Sequence, residues 1–524
     1  MFHSSYDDED PWSEEVQTPF KETTHIRDAN RERQTKIRHS RIDHIDFEKV
    51  IDGKYKDTYL DEDSEKSSKI VNCYCFFRSY LKEKGIDTVL VIWNYLTRRI
   101  EDRDESGKYL VIIELNAKEN EQAIFDTVNT AGVRLTCADT IKNSLFQHYI
   151  DALRKENCNH ERAQTKATEL YDQQWDSIFS VSQEAIDYWN KSRQVGRLYR
   201  DNIEILLHCI AIIKEFFDPS KDKMSDLSEC YKEYTEKLSS ADLEAFIKEI
   251  NVYAKLYQNS FEELDERTLY SYSSEQYLPR VLHMMDALEI STFLPYILHL
   301  LLLKERYDLH DVKEKFIDLE RYLILHAICG ETTRNYNKEC LQLIKGTAIA
   351  TLLAGCENIT LDRFEYGLRH MNSNKLAAFL LFWVELYKRK TERPDFKELH
   401  DIYTLEHIMP QKWEQYWSVQ DYPVYDEQND LVGDEDRAKR IRSAAVYEIG
   451  NMTLLNSKLN TSLRNYDFKR KINGEGKKRG MKNLADCIIT REIIENTVWN
   501  EKAIRERTIV ISKVIIALWG LSFH

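Results

Sequence analysis

Glycine and proline are scarce, at 15 and 8 of 524 residues. Sandwiches and barrels need turn residues at short intervals, so this scarcity excludes them and favours long helices. The ten cysteines are scattered, with no C-x-x-C pair and no secretory leader ahead of them. That pattern leaves no disulfide framework or zinc ribbon, and a reduced cytoplasm is the expected compartment. Long apolar runs are missing too. "TFLPYILHLLLL" (292–303) is too short to cross a bilayer and "IVISKVIIALWG" near the C-terminus is broken by Lys513, so no membrane partner is expected. There is no P-loop pattern. An excess of positive charge is also absent: the net charge is −15, which argues against a surface that coats nucleic acid indiscriminately.

What remains is a chain with 42% hydrophobic residues, enough for two to four domains with proper cores. The first fifteen residues carry six acids and no Lys or Arg and read as a loosely attached tail. "KIVNCYCFFRSYLKEKG" (69–85) and "VLVIWNYLTRRI" (89–100) have helical spacing, and "KYLVIIELN" (108–116) suits a buried strand. From about 155 to 385 helix follows helix, as in "NIEILLHCIAIIKEFF" (202–217) and "NKLAAFLLFWVELYKRK" (374–390), without a fixed repeat. The charged stretch "KRKTERPDFKEL" (388–399), with Pro394, is the predicted linker to a C-terminal domain of mixed strand and helix.

That C-terminal part opens with "YTLEHIMPQKW" (403–413), where Glu406 and His407 are followed by Pro410. A carboxylate beside a histidine suits metal-assisted phosphodiester hydrolysis: a divalent ion neutralises charge on the scissile phosphate while an imidazole activates water. Neighbours on a regular strand face opposite ways, so the turn near Pro410 is expected to reconcile the pair. Downstream, "GNMTLLNSKLN" places Asn451 and, nine residues later, Asn460. Residues 464–482 hold eight Lys or Arg against two acids, a local charge of +6 in a chain that is otherwise −21. Each element also has a plain reading: a surface Glu-His pair, a turn at Gly450-Asn451, a helix N-cap at Asn456, and a solvated basic face. Their ordered combination favours a nuclease.

The arrangement resembles ββα-metal nucleases of the HNH type, with Glu406 where such enzymes commonly have Asp and Asn460 where they commonly have His. Asn456 and Leu459 stand where some of them carry zinc-bracing cysteines, so no structural zinc is expected. More specifically, "LEHIMP", "YEIGNMTLLNSKLN", then Asn465, Phe468 and Lys471 in "NYDFKRK", and onward Trp499, Ile504, Arg507 and Trp519, resemble the C-terminal domain of the GmrSD family of modification-dependent (type IV) restriction endonucleases. An N-terminal element, "FDTVNTAGVRLTCADTIKNSLF" (125–146), is similar to a second motif of that family through Phe125, Asn129, Gly132, Leu135, Asp139, Lys142 and Asn143. Gly132 permits a tight turn and Asp139 complements a helix dipole. A rigid structural corner and a nucleotide or DNA contact remain equal readings of this element. The Gln-Arg and Asp-Gly-Gln-Gln-Arg elements that open the family's ParB/sulfiredoxin-like sensor domain do not occur, which weighs against a nucleotide cofactor. The chain is expected to start inside that domain through a late start codon, a frameshift, or supply of the missing part by a second chain.

The resemblance implies a mainly α fold: an acidic tail (1–25), a partial α/β sensor domain (26–150), a helical region (151–387) and an α+β ββα-metal nuclease domain (388–524). It implies His407 as general base, Asn451 as the residue that orients the base or braces the loop, and Glu406 and Asn460 as ligands of Mg²⁺ or Mn²⁺. Lys469, Arg470, Lys471, Lys477, Lys478 and Arg479 are the candidate phosphate contacts. The expected function is metal-dependent cleavage of foreign, modified DNA in prokaryotic anti-phage defence, on DNA as partner, with homo-oligomerisation left open. The alternative is a non-cleaving or decayed DNA-binding or regulatory member of the family.

Overall fold

A computed structural model describes residues 25–27, 33–35, 44–51, 69–85, 87–88, 91 and 136–523, apart from 196–197, 262–267, 274–275, 307–308, 393–397, 458–459, 461–462, 464 and 477. The chain divides into two compact units, residues 1–135 with 179–188, and residues 136–178 with 189–524. In the first, β1 (His25–Arg27) pairs antiparallel with β2 (Arg33–Thr35), and α1 (His44–Ile51) precedes α2 (Lys69–Lys84). The second of these helices is the one predicted at 69–85, and it buries Val71, Tyr74 and Leu81. The acidic tail, the predicted strand at 108–116, and Phe125, Asn129, Gly132 and Leu135 lie outside the described residues.

The second unit begins at α3 (Cys137–Lys155), whose N-cap Thr136 accepts a bond from the Asp139 amide. It continues through α4 (His160–Leu170), the β3 (Ser192–Val195) and β4 (Leu198–Asp201) hairpin, α5 (Asn202–Ile213), α6 (Leu227–Thr235) and α7 (Ser240–Ser260). After β5 (Leu269–Ser271) come α8 (Tyr277–Ala287), α9 (Leu294–Arg306), α10 (Leu309–Cys329), α11 (Tyr336–Ile344), α12 (Leu361–Arg369) and α13 (Asn374–Glu392). The fold is mainly α, as the scarcity of glycine and proline suggests. Among the described residues, no helix is long and apolar enough to cross a membrane.

Helix α13 joins the helical array to the C-terminal elements. Its run from Phe379 to Leu386 is wholly buried, which is why apolar residues fill every side of it and not a stripe. It packs against α8 and also against β7 (Tyr403–His407), β8 (Met452–Asn456), α16 (Ile488–Ile494) and α17 (Glu501–Trp519). Glu385, fully buried on α13, accepts Arg389 Nε at 2.6 Å and the Ile488 and Ile489 amides at 3.0 Å each. A carboxylate at the N-terminus of α16 satisfies donors that helix cannot pair itself.

The predicted linker at 388–399 is therefore corrected at both ends. Residues 388–392 continue α13, with Lys388 bonded to Glu492, and β6 (Glu398–His400) pairs antiparallel with β5. The charged residues that suggested solvent have partners on the C-terminal elements, and Pro394 lies outside the described residues.

The remaining elements are α14 (Glu435–Ala445), α15 (Phe468–Asn473), and the short β9 (Gly474–Glu475) and β10 (Lys478–Arg479) hairpin. Asn500 caps α17 at its start by accepting the Ala503 amide, and Gly520 ends it at a φ of 60°, where a side chain would be strained. Ile408, Met409, Trp413, Trp417, Phe468 and Trp499 share one apolar core. The chain leaving β7 thus plunges directly inward.

Candidate active site

β7 and β8 run antiparallel with Glu406 opposite Thr453 and His407 opposite Met452. Met452 to Leu455 are all buried, so β8 is the covered strand and β7 the more open one. Regular alternation sends the Glu406 and His407 side chains to opposite faces. Lys471 touches both residues: its ammonium bonds the Glu406 carboxylate and donates to the His407 backbone oxygen at 2.8 Å, without reaching the imidazole. Lys471 is 0% exposed and Glu406 13%. Burial pushes the Glu406 carboxyl above, and the Lys471 ammonium below, its ordinary value, and each partner offsets the other's shift.

Lys471 is not placed as a phosphate contact in this structure, since its ammonium is buried against Glu406 and the His407 carbonyl. The signal was available in the sequence. Phe468, Lys471 and Ile472 occupy the i, i+3, i+4 face of α15, and this face is the buried one, while Lys469 and Arg470 are exposed. Arg470 is held near Asp467 and Glu475 and lies over the Tyr416 and Tyr466 rings. Arg479 is exposed on β10; Lys477 and the side chain of Lys478 lie outside the described residues.

Asn451 is fully buried at the end of a single 3₁₀ turn, Ile449–Asn451. Its side-chain oxygen accepts the Met409 amide at 2.9 Å and Trp499 Nε1 at 3.1 Å; its nitrogen donates to Met409 O at 2.8 Å and Val446 O at 3.0 Å. All four of its hydrogen-bonding positions are taken. Asn451 therefore braces the loop, the second of the two roles open to it, and no polar atom is left over for a reacting group. The turn is welded to α17. Gly450 donates to Thr508 Oγ1 at 3.1 Å, and Arg507 donates to Gly450 O and Met452 O at 2.6 Å each. A Cβ on Gly450 would stand 2.1 Å from Ile504 O, so only glycine permits this approach. Gly450, Thr508 and Trp499 had no periodic signal that could reveal this bracing, since their partners lie about fifty residues away.

His407 contrasts with its satisfied neighbours. Its Nε2 is buried without a hydrogen-bond partner, and its ring meets Tyr447 edge-on at 6.4 Å. Desolvation first, and the Lys471 charge second, lower its pKa to about 4. The imidazole is neutral at pH 7 and can accept a proton.

Asn460 faces β7 from the helical residues after β8, with its amide nitrogen bonded to Thr404 Oγ1 at 2.9 Å and Leu405 O at 3.0 Å. These bonds engage only the nitrogen and leave the amide oxygen without a partner among the described residues. That oxygen and the Glu406 carboxylate are hard donors of the kind Mg²⁺ and Mn²⁺ take. The donor chemistry fits such an ion, with Lys471 as sitting tenant on the carboxylate. Among the described residues, no three of His, Cys, Asp and Glu gather around one point, so an ion here would rest on few protein ligands.

Of the N-terminal motif, the described residues Asp139, Lys142 and Asn143 lie on α3, away from this place. Asp139 and Lys142 bond one another at 2.8 Å in the first turn of α3, and Asn143 is half-buried on the same helix. That helix packs on α4, α6 and α7, none of which carries a predicted site residue.

Residues 357–514 match the family model of the GmrSD restriction endonucleases, C-terminal domain. No curated protein matches the chain. The matched region runs from just before α12 through the β7–β8 pair into α17. It supports the resemblance to GmrSD-type restriction endonucleases and, with it, DNA cleavage as the class of activity.

Proposed function

We propose that the chain is a DNA endonuclease that hydrolyses phosphodiester bonds at the His407 end of β7, by an HNH-type mechanism. The observation that carries this reading is a buried, partnerless imidazole nitrogen on the motif strand of a region matching a restriction-endonuclease family. A general base must be neutral and uncommitted, and His407 Nε2 is both. His407 would take the proton of the attacking water, while Asn451 holds the 408–409 backbone and so the direction of the imidazole. Glu406 and Asn460 would hold Mg²⁺ or Mn²⁺. Such an ion, when bound, supplies positive charge for the scissile phosphate and leaving oxygen. Lys469, Arg470 and Arg479, with Lys477 and Lys478, would track the DNA backbone. The substrate we assign is foreign DNA, in its modified form, encountered in anti-phage defence.

The test is plasmid and phage-DNA cleavage by the purified chain with Mg²⁺ or Mn²⁺, beside His407→Ala. The variant should cut about 10²–10⁴-fold more slowly with its fold intact, and modified DNA should be the preferred substrate. Equal cleavage by the variant would overturn the assignment. One observation favours a second reading, a DNA-binding member that does not cut: the Glu406 carboxylate is already neutralised by a lysine. Duplex binding without cutting on any substrate would select it.

A further inference from the structure

We propose that Lys471 is a built-in competitor for the divalent ion at Glu406, so that an ion can load this carboxylate only by displacing the lysine's ammonium. The inference rests on the metal-site reading and adds to it a residue that sets how strongly metal is held. Three observations support it. The Lys471 ammonium is wholly buried and bonds Glu406 directly. Its second acceptor is the carbonyl oxygen of His407, so the ammonium is fixed at the junction of the two motif residues. Among the described residues, no third His, Cys, Asp or Glu gathers with Glu406 and His407 into a metal-binding group, so the carboxylate that the lysine holds is the charged donor an ion would need.

A divalent ion bound to the same carboxylate would stand a few ångströms from the ammonium, with no solvent between to screen the repulsion. Both cations cannot keep Glu406 at low cost. Displacing the ammonium also frees the His407 carbonyl, so metal loading and the setting of the β7 end are coupled. An exposed lysine could swing away into water; Lys471, packed between Phe468 and Ile472 on the core face of α15, cannot do so without local rearrangement.

The experiment is Mn²⁺ titration of the full chain by calorimetry, with no DNA present. Lys471→Met should bind Mn²⁺ at least tenfold more tightly than wild type. Lys471→Arg, which keeps the charge, should stay near wild type, and the double variant Glu406→Gln/Lys471→Met should lose the gain. Equal or weaker binding by Lys471→Met would overturn the proposal, as would an equal gain in Lys471→Arg. Should Lys471→Met not fold, the wild-type chain labelled with ¹⁵N-lysine reads the same competition. The protected ammonium resonance of Lys471 should be lost at saturating Mg²⁺, and its persistence unchanged would overturn the proposal. Cleavage that ignores His407→Ala would defeat the nuclease reading without touching this result, which is measured on metal affinity alone.

Discussion

Two of the buried cation–carboxylate pairs in the C-terminal part, Arg442–Glu501 and Lys471–Glu406, are built to different ends. Arg442 and Glu501 are both 0% exposed. The guanidinium bonds Glu501 at 2.8 Å and spreads its other donors over the carbonyls of Trp417, Ser418, Tyr422 and Pro423. Every element it touches is pinned, and nothing is left over. At Lys471 and Glu406 the cation has two partners, the Glu406 carboxylate and the His407 carbonyl oxygen, while on the same strand the His407 ring keeps a partnerless nitrogen. Native interiors satisfy their polar groups, and the exceptions gather where chemistry occurs. The Lys471 pair is the less fully satisfied of the two; orphaned buried atoms also occur elsewhere, at Arg507 Nε and Glu320 Oε1, so it is the motif and the family match that single out this pair.

The largest expected effect breaks the clasp. Arg442→Met leaves Glu501 charged, buried and unpaired, which should cost about 3–5 kcal/mol of stability in urea denaturation. Lys471→Met should cost less, since Glu406 keeps some contact with water. If the order were reversed, the site pair would be the structural one.

Next comes the brace between the two regions. Asn451→Ala would orphan the Met409 amide and carbonyl, the Val446 carbonyl and the Trp499 indole at once. A loss of about 4 kcal/mol is expected, the low end of roughly 1–3 kcal/mol for each of the four buried groups left unsatisfied. Cleavage per folded molecule should fall with it, because the backbone that aims His407 is no longer held. A stable Asn451→Ala that cuts normally would show that the loop holds itself.

A titratable group behind the turn gives a smaller, pH-dependent effect. Glu448 accepts a bond from Thr508 and lines a cavity with Arg369, Arg437 and Arg505. Burial lifts its pKa from an ordinary 4.5 to about 7, against the lowering effects of Thr508 and the arginines. A raised folded pKa means the folded state holds the proton longer. Its contribution to stability is full below pH 4.5 and is lost as pH rises through 7. Glu448→Gln should therefore be more stable than wild type at pH 8, by up to about 3 kcal/mol, with the gap closing below pH 5. Parallel denaturation curves at both pH values would read this; a gap that widened on acidification would reverse the assigned burial effect.

Much of this was legible in the sequence for definite reasons. The helices expected at 69–85, 202–217 and 374–390 are found at 69–84, 202–213 and 374–392, and follow from apolar spacing and from scarce breakers. Asn460, nine residues after Asn451, does stand against β7, with β8 between them in the chain. What could not be read was the partner of each charge. The spacing of Phe468, Lys471 and Ile472 marks the face of α15 that turns inward, but nothing in it says that Glu406, 65 residues away, is what the lysine meets. Likewise the stretch at 388–399 reads as a linker because its charges look solvated, whereas Lys388 pairs with Glu492 once α13 and α16 pack, and Arg389 pairs with Glu385 within α13 itself.

The smallest expected effect divides the basic block at 464–482 directly. Lys469 and Lys471 are two residues apart on α15, one exposed and one buried. If α15 lies along the phosphate backbone, Lys469→Gln should weaken duplex binding only a few-fold, equally on all sequences, and flatten the slope of log affinity against log salt by about 1. Lys471→Gln should leave that slope unchanged, because an ammonium inside the protein releases no counterion from DNA. Loss of one unit of slope in both variants would mean that Lys471 turns outward when DNA binds, and the site pair would then open on its substrate. Loss in neither would take α15 off the DNA surface and leave Arg479 and the β9–β10 hairpin as the contact to examine.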